Sequence, residues 1–61
     1  MNYKIRTDLD NYGVTVKEVA DDLGISVSTF YRWCTGQHKD WREKEDLILE
    51  AIRAVDYRKN K

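Results

Sequence analysis

The chain has 61 residues, with 11 basic and 11 acidic side chains, no proline and a single cysteine. A chain this short buries only about 60% of the surface it exposes when unfolded, which leaves room for one domain but not for a deep catalytic cleft with its supporting shell. The lone Cys34 excludes an internal disulfide, no stretch approaches the ~20 apolar residues of a membrane span, and a net charge of zero removes the overall basic excess common in nucleic-acid binders. Met1, Asn2, Tyr3 and Lys4 open no signal peptide, so a cytoplasmic location is expected.

Strand alternation is missing throughout, and the apolar residues recur at helical spacing. A first helix is expected over Asn2 to Tyr12, with Ile5, Leu9 and Tyr12 on one face. Gly13 follows it, as glycine commonly follows a helix because it adopts the left-handed conformation without a steric penalty. Thr15 and Glu18 then form the Thr-x-x-Glu pattern of a capping box, and Val16, Val19, Ala20 and Leu23 make the apolar face of a second helix. Gly24 ends that helix, and Ser26 is a good N-cap for a third carrying Val27, Phe30 and Trp33. Gly36 comes next. Asp40 and Glu43 give a capping-box-like start to a fourth helix, with Leu47, Ile48, Ala51, Ile52 and Val55 on its inner side. Arg58 to Lys61 reads as a frayed basic tail. The expectation is a single all-α domain over residues 1–61, compact and built of four helices, with room for a fifth.

The second and third helices are separated by little more than Gly24 and Ile25, too short a link for an antiparallel hairpin. Helices joined this closely through a glycine cross steeply, as in a helix-turn-helix. Ala20 is small where the two helices approach, and Val19, Leu23, Ile25, Phe30 and Trp33 fill the angle. With these residues in view, "TVKEVADDLGISVSTFYRW" resembles the helix-turn-helix of the phage Cro/C1 repressor (XRE-type) family, and is similar to that of transposase-associated proteins. The resemblance is close over residues 15–35 and looser in the flanking helices. It departs at Val16, where that family often has Gln, and after residue 40, where one long helix replaces two short ones.

The resemblance implies a lambda-repressor-like fold and a small transcriptional regulator, a phage-type or mobile-element-type repressor, that binds double-stranded DNA as a homodimer. Carried over by position, it implies that Ser26, Val27, Ser28, Tyr31 and Arg32 face the major groove, while Thr15, Lys17, Thr29, Gln37, His38 and Lys39 lie near the DNA backbone. The residue chemistry agrees. Arg32 is suited to grip O6 and N7 of a guanine, and the methyl groups of Val27 and Thr29 suit a thymine methyl. A free helix N-terminus at Ser26 suits a phosphate. From Ser26 to Lys39 there is no acidic residue, whereas acids gather at Asp8, Asp10, Glu18, Asp21, Asp22 and along Glu43 to Glu50.

Plainer readings stand beside these. The alternative for Arg32 is a surface ion pair and for Tyr31 covering the core; Trp41 reads first as a lid on the core, with an exposed anchor as its alternative. Asp21 and Asp22 point about 100° apart on a helix and read as surface charge. Cys34, His38 and Asp40 fall short of the four ligands of structural zinc. No nucleophile–base pair or phosphate-cradling loop is present, so no enzymatic activity, cofactor or small-molecule substrate is expected. The alternative to DNA binding is a modulator that uses the same corner to bind a host or phage protein.

Overall fold

The computed structural model describes residues 2–35 and 39–60. These residues form four helices, α1 (Tyr3–Tyr12), α2 (Val16–Leu23), α3 (Val27–Cys34) and α4 (Trp41–Lys59), and include no strand. Three helix starts are fixed by side chains. Asn2 Oδ1 accepts from the backbone N–H of Lys4 at 2.8 Å and of Ile5 at 3.3 Å, and its Nδ2 donates to Glu45 on α4 at 2.6 Å. One residue therefore caps α1 and ties it to the first half of α4. At α2 the expected capping box is complete: Thr15 Oγ1 accepts from Glu18 N–H at 3.2 Å, and Glu18 Oε1 accepts from Thr15 N–H at 3.0 Å. At α3, Ser26 Oγ accepts from Thr29 N–H at 3.1 Å.

Two helix ends share one device. Gly13 (φ 63°) and Gly24 (φ 72°) are left-handed. Gly13 N–H donates to Asp10 at 3.3 Å and Val14 N–H to Leu9 at 3.0 Å; Gly24 N–H donates to Asp21 at 3.2 Å and Ile25 N–H to Ala20 at 3.0 Å. These nested bonds make a Schellman motif, which satisfies carbonyls the helix leaves open and turns the chain. Each motif also folds its next residue inward. Val14 is buried, and Ile25 packs half-buried against the core.

α4 is about 28 Å long at 1.5 Å per residue, and α1, α2 and α3 all pack on it. Its buried stripe is Ile48, Leu49, Ala51, Ile52 and Val55. Against this stripe lie Ile5, Leu9, Val14, Val19, Ala20, Phe30 and Cys34, with Val16, Leu23, Ile25 and Trp33 at the margin. No polar or charged side chain is buried among the described residues.

Several expected positions are corrected. Leu47 is 41% exposed and Leu49, its counterpart on the other flank of Ile48, is buried instead. Trp41 stands exposed, with the Arg42 guanidinium 5.2 Å from its ring centroid, so it does not close the core. Tyr12 lies at the solvent edge, and Trp33 is half-buried with Lys44 Nζ 4.5 Å from its ring centroid. Asp40 makes no side-chain cap on α4 and faces Lys44 at 3.7 Å. Arg58 and Lys59, expected in a frayed tail, are helical and reach back to the preceding helices. Arg58 pairs with Asp22, and Lys59 Nζ lies 3.1 Å from Gly13 O and 3.2 Å from Glu18 Oε1. The third glycine, Gly36, lies outside the described residues.

A side chain added at Gly24 meets nothing within 4 Å, so its cost is conformational alone. Gly24→Ala is expected to destabilise by about 1–2 kcal/mol, and Gly24→Val by up to about 3 kcal/mol because it is also β-branched. Thermal melting reads this at roughly 4–8 °C per kcal/mol in a domain this small. An unchanged melting temperature in both variants would show that the turn does not require the left-handed residue.

The α2 capping box carries a pH signature. The Thr15 backbone N–H, first, and then Lys59 hold the Glu18 carboxyl below its ordinary value of 4.5. A carboxyl whose folded pKa is depressed stabilises the fold above the unfolded value, and that contribution disappears as pH falls through the folded pKa. Glu18→Gln keeps an acceptor for Thr15 but removes the charge. Its melting temperature is expected to lie below that of the parent at neutral pH, with the gap closing in acid. A gap that stays constant through the carboxylate range refutes the assignment.

Candidate nucleic-acid interface

Seven of the eight residues of α3 divide between two sides, with Thr29 at the boundary. Phe30 and Cys34 are buried and Trp33 is half-buried, while Val27, Ser28, Tyr31 and Arg32 are exposed and Thr35 extends the same side. The exposed positions recur at i, i+1, i+4 and i+5, which is one continuous helical face. It pairs Val27 with Tyr31 and Ser28 with Arg32 one turn apart. Tyr31 is 46% exposed, its ring meeting Phe30 edge-on at 6.0 Å between centroids.

Arg32 takes part in none of the ion pairs formed among the described residues. Three acids nearby in sequence are instead matched by cations of α4: Glu18 by Lys59, Asp22 by Arg58 and Asp40 by Lys44. A charged hollow of about 420 Å³ between α2 and α4, lined by Glu18, Asp21, Asp22, Val55, Arg58 and Lys59, includes no residue of α3. The α3 face thus combines hydroxyls, one aromatic ring and one guanidinium, with no carboxylate along it.

The remaining candidate residues fall into distinct groups. Ser26 is exposed, but its hydroxyl is engaged at the helix cap and also donates to Thr29 Oγ1 at 3.0 Å. Thr29 is half-buried at the edge of the exposed face. Thr15 is exposed at the start of α2, its hydroxyl donating to Glu18 at 3.0 Å. Lys17 in the first turn of α2 and Lys39 before α4 are both exposed. Gln37 and His38 lie outside the described residues.

Lys44 carries no signal in the local sequence. Its ammonium sits over the Trp33 ring, so a cation of α4 lies beside the end of α3. No local spacing rule links positions 33 and 44; the packing of α3 on α4 brings them together. Arg42 against Trp41 was more legible, being adjacent in the chain. Cys34 offers no reactive thiol here, since burial pushes its pKa up to about 11 and keeps it protonated.

No helix among the described residues is long and apolar enough to cross a membrane. Searches of curated proteins and of solved structures give no match. A family model described as a homeodomain-like domain matches residues 7–48, from the middle of α1 through the whole of α2, the turn and α3 into α4. The match is to the helix-turn-helix as a class and does not single out the Cro/C1 type. Covering well over half of the chain, it places this protein in the homeodomain-like helix-turn-helix family.

Proposed function

We propose that this chain is a sequence-specific DNA-binding transcriptional regulator that inserts α3 into the major groove of double-stranded DNA. The observation that carries the reading is the exposed face Val27, Ser28, Tyr31 and Arg32, uninterrupted by acid, on the second helix of a helix-turn-helix. In this reading Arg32 makes two parallel hydrogen bonds to a guanine, and Val27 meets a thymine methyl. Ser28 and Tyr31 supply further polar contacts. Because the Ser26 hydroxyl is engaged in the cap, the first turn of α3 contributes backbone N–H groups to a phosphate. Lys17 and Lys39 grip the sugar-phosphate backbone, together with Gln37, His38 and, from its place beside Trp33, Lys44.

One helix-turn-helix reads few base pairs, so two copies bind a twofold-symmetric site. The resemblance of residues 15–35 to Cro/C1 repressors favours a cytoplasmic repressor of phage or mobile-element type. No catalytic step, cofactor or small-molecule substrate enters this mechanism. The zero net charge favours a second reading, in which the same face binds a host or phage protein.

Duplex-binding assays across salt concentration separate the two. Neutralising about three to five phosphates per copy gives a log–log slope of about −3 to −5, at −0.9 for each phosphate. Absence of binding even at low salt would select the protein-partner reading.

Two substitutions on α3 test its orientation. Arg32→Ala is expected to leave the melting temperature unchanged and to weaken binding to the best site by about 1–3 kcal/mol, relaxing preference at one base pair. Phe30→Ala is expected to cost about 3–5 kcal/mol of stability and leave the domain largely unfolded. A folded Arg32→Ala protein that binds as the parent does would remove α3 from the reading role.

A further inference from the structure

We propose that Arg58 and Lys59 complete the DNA interface from α4, by neutralising the acidic side of α2 so that this helix can lie against the phosphate backbone. The role rests on the DNA-binding reading; the ion pairs themselves do not. In a helix-turn-helix the second helix enters the major groove while the first crosses the backbone. Here the first is α2, and it is acidic. Lys17 stands against Glu18, Asp21 and Asp22, one base and three acids, a net charge of −2. α3 adds only Arg32, which leaves the two helices together at −1. On its own, that pair of helices repels a polyanion.

The last turn of α4 offsets this charge. Lys59 Nζ lies 3.2 Å from Glu18 Oε1, and Arg58 pairs with Asp22. These two cations bring α2 from −2 to zero, and α2 with α3 from −1 to +1. Asp21 takes part in no ion pair among the described residues and stays exposed. Glu18 is where neutralisation matters most. Its Oε1 accepts from Thr15 N–H at the start of α2, and Lys17, the α2 cation of the interface, is its neighbour in the chain.

Both cations lie beyond residue 48, where the family match ends, so this charge correction belongs to the chain's own α4 and not to the shared motif. Exposed ion pairs such as these add little to stability. A carboxylate left unpaired about 4–8 Å from a phosphate weakens binding by about two- to sixfold in water, and added salt screens the effect. Arg58 and Lys59 are thus positioning residues, which act on the duplex through Asp22 and Glu18.

Duplex affinity at low salt, measured on folded variants, tests the role. Lys59→Met is expected to weaken binding about two- to sixfold, with the loss shrinking as salt rises. Adding Glu18→Gln to Lys59→Met removes the exposed carboxylate and restores the parent's affinity. The melting temperature is not restored, because Gly13 O still lacks its lysine donor, so a purely structural role predicts no such rescue. Arg58→Met is repaired in the same way by Asp22→Asn. Glu18→Gln alone leaves Lys59 without an acid to meet, and binds more tightly than the parent although it melts lower. An equal loss on Lys59→Met with and without Glu18→Gln makes the lysine a direct phosphate contact and overturns the proposal. Parent-like binding by folded Lys59→Met overturns it as well. Where Lys59→Met does not fold, Glu18→Gln decides, and binding no tighter than the parent's overturns the proposal. A parent that binds no duplex even at low salt removes the DNA-binding reading and this role together. A parent that binds, with variants that match it, removes this role alone and leaves the reading of α3 standing.

Discussion

The buried stripe of α4 is the constraint on which the rest of the structure depends. α1, α2 and α3 have ten, eight and eight residues, below the roughly 12–15 at which even good isolated helices become marginal in water. They persist because Ile48, Leu49, Ala51, Ile52 and Val55 give all three an apolar surface to cover. Helices this short cannot hold their own ends by propensity, so capping matters more than usual. Asn2, Thr15 and Ser26 begin them, and the two glycine-ended Schellman motifs stop two of them while sending Val14 and Ile25 back towards the core. Asn2 and Lys59 then connect caps to α4, so local and long-range contacts support the same arrangement.

That arrangement leaves one side of α3 with no part in the core. α3 holds its place through Phe30 and Cys34, with Trp33 at the rim, and these need no help from the opposite face. Val27, Ser28, Tyr31 and Arg32 are consequently available for a partner. The division has a limit at the start of the helix, where Ser26 and Thr29 hydrogen-bond to each other. There a substitution alters the helix cap, whereas Arg32 takes no part in the cap or the core.

Much of this was legible in the sequence because it depends on local rules. The four helices, the Thr15–Glu18 box, the Ser26 cap and the turn at Gly24 all follow from spacing over three or four residues. The errors arose where the sequence is locally symmetric or the contact is distant. Ile48 has a leucine on each flank, and only the position of the other helices decides that Leu49 goes in and Leu47 out. Asp40 fits a capping pattern that its backbone does not adopt, with φ −102° and ψ 30°. Arg58 and Lys59 read as tail because their partners, Asp22, Gly13 and Glu18, lie 36 to 46 residues away. The division of α3 into two faces was readable, as was the exposure of Arg32. The place of Lys44 beside Trp33 was not.

A zero net charge is the strongest sequence-level argument against a nucleic-acid partner, and the structure shows why the total is a poor guide here. At physiological salt the field of an exposed charge decays over about 8 Å, whereas α4 alone is about 28 Å long. Acids on its outward side, such as Glu43, Asp46 and Glu50, face away from the core stripe on which α3 packs. Glu18, Asp22 and Asp40 each meet a lysine or arginine of α4 at short range, which reduces what they project elsewhere. What a partner senses at α3 is therefore set by the charges within that screening distance. Along the helix itself there is one guanidinium and no carboxylate. A face with so few charges of either sign projects only a weak field of its own, whatever the total over the chain.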